Sequence, residues 1–252
     1  MILRRKRRIV KRHTFQTYRR QKALNYSKLK KWEEAPIRAE QEDQDSPTFA
    51  FGRGSHALIL EGPDKFTKGF EVLDVSSRNT KAYKQAVQET EKTILLRPEA
   101  EKIQGMRDAV KAHKKAKALL MEGHRECSAY WSEQFGEDWL AMKIRMDVFQ
   151  PGRKIFVDLK TTTSASQKHF PKDIAKYGYG KQMAFYQRGL KVITGEWFAP
   201  IIVAIEKEPP HLIGIYSLDA DSLQHCRDWV QDKLEKYHSW LKQPKHERRM
   251  GY

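Results

Sequence analysis

An α/β (α+β) fold is the class this sequence predicts, with an antiparallel meander at its centre and helices around it. Three observations carry that expectation. Strand candidates at residues 126–132, 139–149 and 154–161 are linked only by Gly136-Glu137-Asp138 and Pro151-Gly152, and links that short join antiparallel neighbours. Apolar residues at helical spacing stand before and after them, at 98–121 and about 220–241. Beyond the meander a helix at about 179–193 alternates with strands at 198–206 and 211–218, the last two joined at Pro209-Pro210.

The remaining elements follow in chain order. Residues 1–22 are expected to be disordered or loosely helical. Residues 26–40 open a short helix with Ser27 as N-cap and Leu29 and Trp32 on one side, and Pro36 ends it. Residues 41–48 form a polar linker. The segment Gly54-Ser55-His56-Ala57-Leu58-Ile59-Leu60 is a buried helix. Residues 61–80 are loop-like, with a short strand candidate from Glu71 to Val75. Pro98 suits the first position of a helix, in which Ile103, Met106, Val110 and Leu120 keep helical period to about Met121. In the closing helix Leu223, Trp229, Leu234, Tyr237 and Trp240 form the buried side. The sequence holds no internal repeat. Its domain reading is a basic extension over 1–24 and a single domain over 25–252.

Composition excludes several classes. No apolar run approaches the roughly 20 residues that span a bilayer, and the basic N-terminus lacks the apolar stretch of a signal peptide. Two cysteines, Cys127 and Cys226, do not make a disulfide framework; a reducing, cytoplasmic compartment is expected. The net charge is +16, and residues 1–31 carry thirteen Lys and Arg without one Asp or Glu. Only three net positive charges remain on the other 221 residues. A basic segment of that kind suits a phosphate backbone, where each neutralised phosphate releases counterions, and it makes Arg4, Arg5, Lys6, Arg7 and Arg8 candidate nucleic-acid contacts.

The chemistry concentrates in Ile155-Phe156-Val157-Asp158-Leu159-Lys160-Thr161-Thr162. Alternate side chains of a strand share a face. Asp158 and Lys160 therefore project together, while Val157 and Leu159 turn toward a core. Charges at the end of an apolar strand are costly without a task. Asp147 ends the preceding strand candidate, and Glu126 opens the one before. Two carboxylates on adjacent strands can hold Mg²⁺ and leave room for a phosphate oxygen. Such a set suits metal-dependent cleavage of a phosphodiester, with Lys160 orienting water or stabilising charge on the pentavalent state.

The chain also resembles the PD-(D/E)xK nuclease superfamily, and within it the phage- and prophage-encoded RecE-type (exonuclease VIII-like) exonucleases. The resemblance covers about residues 25 to 241 and rests on markers in order: NYSKLKKWEEAP, FGRGSHALILEG, RPEAEKIQGMRDAVKAHKKAKALL, ECSAYW, KIRMD, FVDLKTT and KQMAFYQRGL. The last resembles the Gln-x-x-x-Tyr helix of RecB-like nucleases. Relatives often have Pro before the hairpin acid where this chain has Met146, and Leu-Glu-Pro where it has Leu60-Glu61-Gly62.

The resemblance implies a restriction-endonuclease-like core with a central mixed sheet. It implies His56, Glu126, Asp147, Asp158 and the Leu159 carbonyl as metal ligands, and Glu126, Asp147, Asp158 and Lys160 as the catalytic set. Gln182 and Tyr186, one helical turn apart, would bind DNA phosphates or hold the lysine, and Arg53 and Thr161 join them as substrate contacts. The implied activity is a processive, Mg²⁺-dependent (or Mn²⁺-dependent) exonuclease on double-stranded DNA ends, running 5′ to 3′. It would leave 3′ single strands for an annealing recombinase, with the enzyme a ring-shaped trimer or tetramer in a phage-infected or prophage-bearing bacterial cell and no membrane partner. Two alternatives stand beside it. One is a Cas4- or AddB-like end-processing nuclease, disfavoured because its iron–sulfur cluster takes four cysteines. The other is a non-catalytic DNA-binding module of the same fold.

Overall fold

A computed structural model describes residues 8–10, 14–41 and 46–248. Its centre is a six-stranded sheet. β4 (His124–Phe135), β5 (Asp138–Gln150) and β6 (Ile155–Thr162) are the expected meander, the first two longer than their sequence signals and the third shifted by one residue. β7 (Ala199–Glu206) pairs parallel to β6, and every other neighbouring pair is antiparallel. The mixed sheet is thus an antiparallel meander with one parallel step. Edge strands β1 (Arg8–Val10) and β8 (Ile213–Tyr216) close it in the order β1-β4-β5-β6-β7-β8.

Helices cover both faces because the central strands are apolar on both sides. One face packs Trp131, Phe156 and Ile202 against α2 (Tyr26–Glu34), α9 (Tyr179–Thr194) and α10 (Ala220–Lys242). The other packs Val148, Val157, Leu159 and Val203 against α3 (Pro47–His56), α6 (Arg97–Ala112) and α7 (Lys114–Met121). As expected from alternation, Val157 and Leu159 are fully buried in that second core.

Several expectations need correction. Asn25, not Ser27, caps α2: its side chain accepts from the Lys28 N–H at 2.9 Å. The helix stops at Glu34, and a 3₁₀ turn fills Pro36–Glu40. Residues 42–45 of the expected linker lie outside the described residues, but its end is helical, since Ser46 caps α3 and Pro47 takes its first turn. α3 ends at His56 and continues as a wider π-helical turn over Ala57–Glu61, so the expected helix from Gly54 to Leu60 is the junction of two pieces. The expected helix to Met121 breaks at His113, whose ring caps α7 by accepting from the Ala116 N–H.

Residues 61–80 are not mainly loop. They hold α4 (Pro63–Gly69) and β2 (Phe70–Leu73), which pairs parallel with β3 (Thr93–Leu96) across α5 (Lys81–Glu89). In α10 Trp229 is half-buried and Val230 is buried. α8 (Phe170–Tyr177) carries no expectation from sequence.

The basic extension is partly built into the fold. Where disorder or loose helix is expected, Arg8–Val10 forms an edge strand antiparallel to β4, and α1 (Phe15–Arg20) is a capped helix. Buried Lys143 of β5 donates to the carbonyls of Tyr18, Arg19 and Gln21 at 2.9, 3.3 and 2.7 Å. A cation there satisfies carbonyls that the end of α1 leaves open. Burial, with the charges of Lys28 and Arg19, draws the lysine down to about 8. Residues 1–7 and 11–13, including Arg4, Arg5, Lys6 and Arg7, lie outside the described residues.

α9 can lie close to the sheet because Gly189 faces the buried Trp131 ring; a Cβ there would stand 2.6 Å from the indole. Gly189→Ala should therefore destabilise the protein by roughly 1–3 kcal/mol through overpacking, read as a lower denaturant midpoint. An unchanged midpoint would mean the contact is slack.

Candidate metal and phosphodiester site

The site lies where β5 and β6 part. Their pairing ends at Val148 opposite Val157. Continuing that register by one residue sets Asp147 opposite Asp158. The β4–β5 register, with Arg125 opposite Val148 and Cys127 opposite Met146, sets Glu126 opposite Asp147. Three acids thus form a row across three strands. Beyond the split, the Leu159 N–H has no β5 carbonyl to meet. It donates instead to Asp147 Oδ2 at 2.7 Å, so the carboxylate replaces a missing rung of the ladder.

Glu126 carries backbone strain. Its φ is 53°, a left-handed conformation that costs a non-glycine residue roughly 1–2 kcal/mol. Strain of this kind persists where the surroundings over-determine it, and it clusters at functional positions. Arg145, two residues before Asp147, holds the side chain in place: its Nε donates to Glu126 Oε2 at 2.6 Å. Arg145 also donates to Ser128 Oγ and lies 5.9 Å from the Phe15 ring of α1. Arg145 carries no expectation from sequence; its one signal there is its place two residues before Asp147.

His56 arrives from the end of α3. Its Nε2 lies 3.2 Å from the Leu159 carbonyl, and its Nδ1 lies 3.5 Å from Asp147 Oδ1 and 3.8 Å from Glu126 Oε1. The Leu159 carbonyl, expected as a ligand, here orients the imidazole, so that Nδ1 is the nitrogen turned toward the acids; such an outer partner sets which nitrogen is presented. One donor atom each from His56, Glu126 and Asp147 lie within 4.8 Å of one another.

Asp158 and Lys160 share the face toward α9, as strand alternation requires. Lys160 Nζ is 2.7 Å from Asp158 Oδ2. That approach lies off the directions of an aligned hydrogen bond, so the buried Oδ2 has an ion pair but no directed hydrogen bond. Gln182 joins the pair from α9. Its Oε1 accepts from Lys160 at 3.2 Å, and its Nε2 donates to Asp158 Oδ1 at 3.4 Å and to Tyr186 Oη at 3.2 Å. Gln182 thus touches the lysine directly, and Tyr186 reaches it only through Gln182.

The charges are strongly interdependent. Burial draws the His56 imidazole down, but Asp147 and Glu126 outweigh it and hold it well above its usual value. Burial pushes the Asp147 carboxyl up, and His56, Lys160 and the Leu159 N–H more than reverse that. For Asp158 burial prevails, helped by Asp147 and only partly offset by Lys160, so it titrates high. Burial lowers Lys160, yet Asp158 and Asp147 raise it above an ordinary lysine. Without a compensating ion, a buried set of this kind is costly.

The donors fit a hard divalent cation. Carboxylate oxygens from adjacent strands, one imidazole nitrogen, and a buried Asp158 oxygen without an aligned hydrogen bond match what such an ion takes. The other expected contacts are spread more widely. Arg53 of α3 donates to Thr93 Oγ1 at 3.4 Å. Thr161 follows Lys160 on the opposite side of β6. Arg8 lies on β1 with its guanidinium 5.3 Å over the Tyr130 ring. No helix among the described residues is long and apolar enough to cross a membrane.

If Asp147 holds a metal, Mn²⁺ should raise the melting temperature of the wild-type chain, because binding only the folded state stabilises it. Asp147→Asn, which keeps an acceptor for the Leu159 N–H, should lose most of that rise, as should Glu126→Gln. An undiminished rise in Asp147→Asn would remove Asp147 from the ligand set.

Comparison with known proteins bears on the fold. A crystal structure of a candidate exonuclease from Eubacterium rectale superposes with a TM-score of 0.65 over 89% of this chain and 85% of that one, at 19% identity. At that identity the likeness speaks to the fold. A second structure, SSO0001, aligns over 76% of this chain and 87% of its own at 15% identity and a TM-score of 0.31, too low to carry an argument. Among curated protein sequences, none matches. One family model spans residues 22–251, from just before α2 to past α10, and by that match the chain belongs to the family described as the PDDEXK-like domain of unknown function DUF3799.

Proposed function

We propose that this protein is a metal-dependent deoxyribonuclease, and specifically an exonuclease acting on double-stranded DNA ends. The observation that carries the proposal is the row Glu126, Asp147 and Asp158 with Lys160 on the Asp158 face. Family membership and the description of the Eubacterium rectale protein as a candidate exonuclease support it.

His56, Glu126, Asp147 and Asp158 are the residues that would hold Mg²⁺ or Mn²⁺, which when bound supplies Lewis-acid polarisation of a phosphate oxygen and a more acidic water. The protein's own groups do the rest. Lys160, an ammonium beside Asp158, donates hydrogen bonds to a phosphate oxygen or to the attacking water and stabilises charge that develops there. Gln182 keeps the lysine at that position, and Tyr186 keeps Gln182. Arg145 keeps the Glu126 carboxylate in the row. The finer reading follows the resemblance to RecE-type enzymes: 5′-to-3′ digestion that is processive within a ring-shaped trimer or tetramer, delivering 3′ single strands to an annealing recombinase in the bacterial cytoplasm.

Three measurements test this. Linear duplex should be degraded with Mg²⁺ and spared with EDTA, while covalently closed circles persist; equal cutting of circles would end the exonuclease reading. Lys160→Ala should lower cleavage on the order of 10²-fold or more with DNA affinity nearly unchanged, and activity surviving that change would put the chemistry elsewhere. Replacing Arg4, Arg5, Lys6, Arg7 and Arg8 by Gln should weaken duplex binding and reduce the slope of log affinity against log salt by up to about 0.9 for each lost phosphate contact. An unchanged slope would free the basic head from a role in DNA binding.

A further inference from the structure

One feature beside the site belongs neither to the ligand row nor to the Gln182–Tyr186 pair. The corner Tyr177-Gly178-Tyr179 between α8 and α9 carries an aromatic ladder that runs from the core to solvent. Phe170, 1% exposed, is its inner end, with its ring 6.3 Å from that of Tyr179. Tyr179 and Tyr177 stack at 5.6 Å with 29° between their planes. Tyr177 is the outer end, 44% exposed. Lys160 Nζ lies 4.6 Å over the ring of Tyr179, so the proposed catalytic lysine sits at the middle rung, next to the outer ring.

The corner is held firmly. Gly178 adopts φ 72°, and a Cβ there would run into the Tyr26 hydroxyl. That hydroxyl donates to the Gly178 carbonyl at 2.7 Å, and the same carbonyl accepts the Gln182 N–H at 3.0 Å. Lys30 donates to the Tyr177 carbonyl at 3.1 Å. The ladder and the turn that presents Gln182 therefore share one hydrogen-bonded corner. One cation lies at the exposed ring: Lys176 Nζ is 5.3 Å from its centroid, and Lys172 is a further exposed lysine of α8.

We infer that the exposed face of Tyr177 is a stacking platform for an unpaired nucleobase of the strand whose phosphate lies at Lys160. The inference rests on the nuclease reading and adds the form of the substrate. An aromatic ring backed by a second ring, with the Lys176 ammonium beside it and the proposed catalytic lysine one ring away, suits a base with its backbone. Bases inside a duplex are already stacked on both faces, so the platform selects a frayed, overhanging or separated end.

The test uses the full chain and DNA ends carrying 2-aminopurine in a short single-stranded overhang, bound in EDTA to prevent turnover. Wild type and Tyr177→Phe should quench the fluorescence. Tyr177→Ala should lose the quench and bind the overhang roughly tenfold more weakly, equivalent to about 1.4 kcal/mol, with fully paired blunt duplex little affected. Full quenching and affinity in Tyr177→Ala overturn the inference. An equal loss on blunt duplex also overturns it, by making Tyr177 a backbone contact. Cleavage assays keep the two readings apart. Wild type that quenches but cuts no DNA with Mg²⁺ or Mn²⁺ ends the nuclease reading alone. Wild type that cuts, with Tyr177→Ala cutting overhangs and quenching as well as it does, ends the platform alone.

Discussion

Asp147 stands where two strands stop pairing, and its carboxylate makes the hydrogen bond that a strand backbone would otherwise have made to the Leu159 N–H. The rest of the site depends on that substitution. It lets β5 and β6 diverge without orphaning a buried donor, which would cost about as much as a lost hydrogen bond. The divergence opens the sheet beside Asp158 and Lys160, and it leaves the second Asp147 oxygen facing His56. Glu126, in left-handed strain on β4, completes the row from the other side.

A row of buried acids is unstable by itself, and the fold answers it with three basic side chains and an amide, from four directions. His56 comes from α3 on one face, Lys160 from β6 toward the other, Arg145 from within β5, and the Gln182 amide from α9. No pair of these is adjacent in sequence. Removing one leaves an acid without its partner in a low-dielectric site, where such a loss is most costly. The arrangement is better suited to receiving an ion and a phosphate than to stabilising the fold, since apolar residues in the same space would serve stability more cheaply.

Much of the fold was legible because its signals are local. Short Gly- and Pro-containing links announced the meander, and period-two alternation placed Val157 and Leu159 in a core opposite Asp158 and Lys160. Errors fell where tertiary packing overrides local preference. α3 begins at Pro47 within a polar stretch because Ser46 caps it. β3 carries no strand expectation of its own, and it forms a strand because it pairs with β2 across α5. Part of the basic extension becomes a strand because β4 offers an open edge, and its helix is pinned by Lys143 more than a hundred residues later.

By itself the sequence determined the kinds of groups at the site and the face that Asp158 and Lys160 share, because strand geometry makes residues two apart neighbours whatever surrounds them. It could not determine that Glu126, Asp147 and Asp158 form one row, since that depends on the register of two separate strand pairings. Nor could it assign the Leu159 carbonyl to the imidazole, Arg145 to Glu126, or the Tyr177–Tyr179 ladder to the side of Lys160. Those relations join segments tens of residues apart, and only the closing of the sheet against α3 and α9 brings them within a few ångströms.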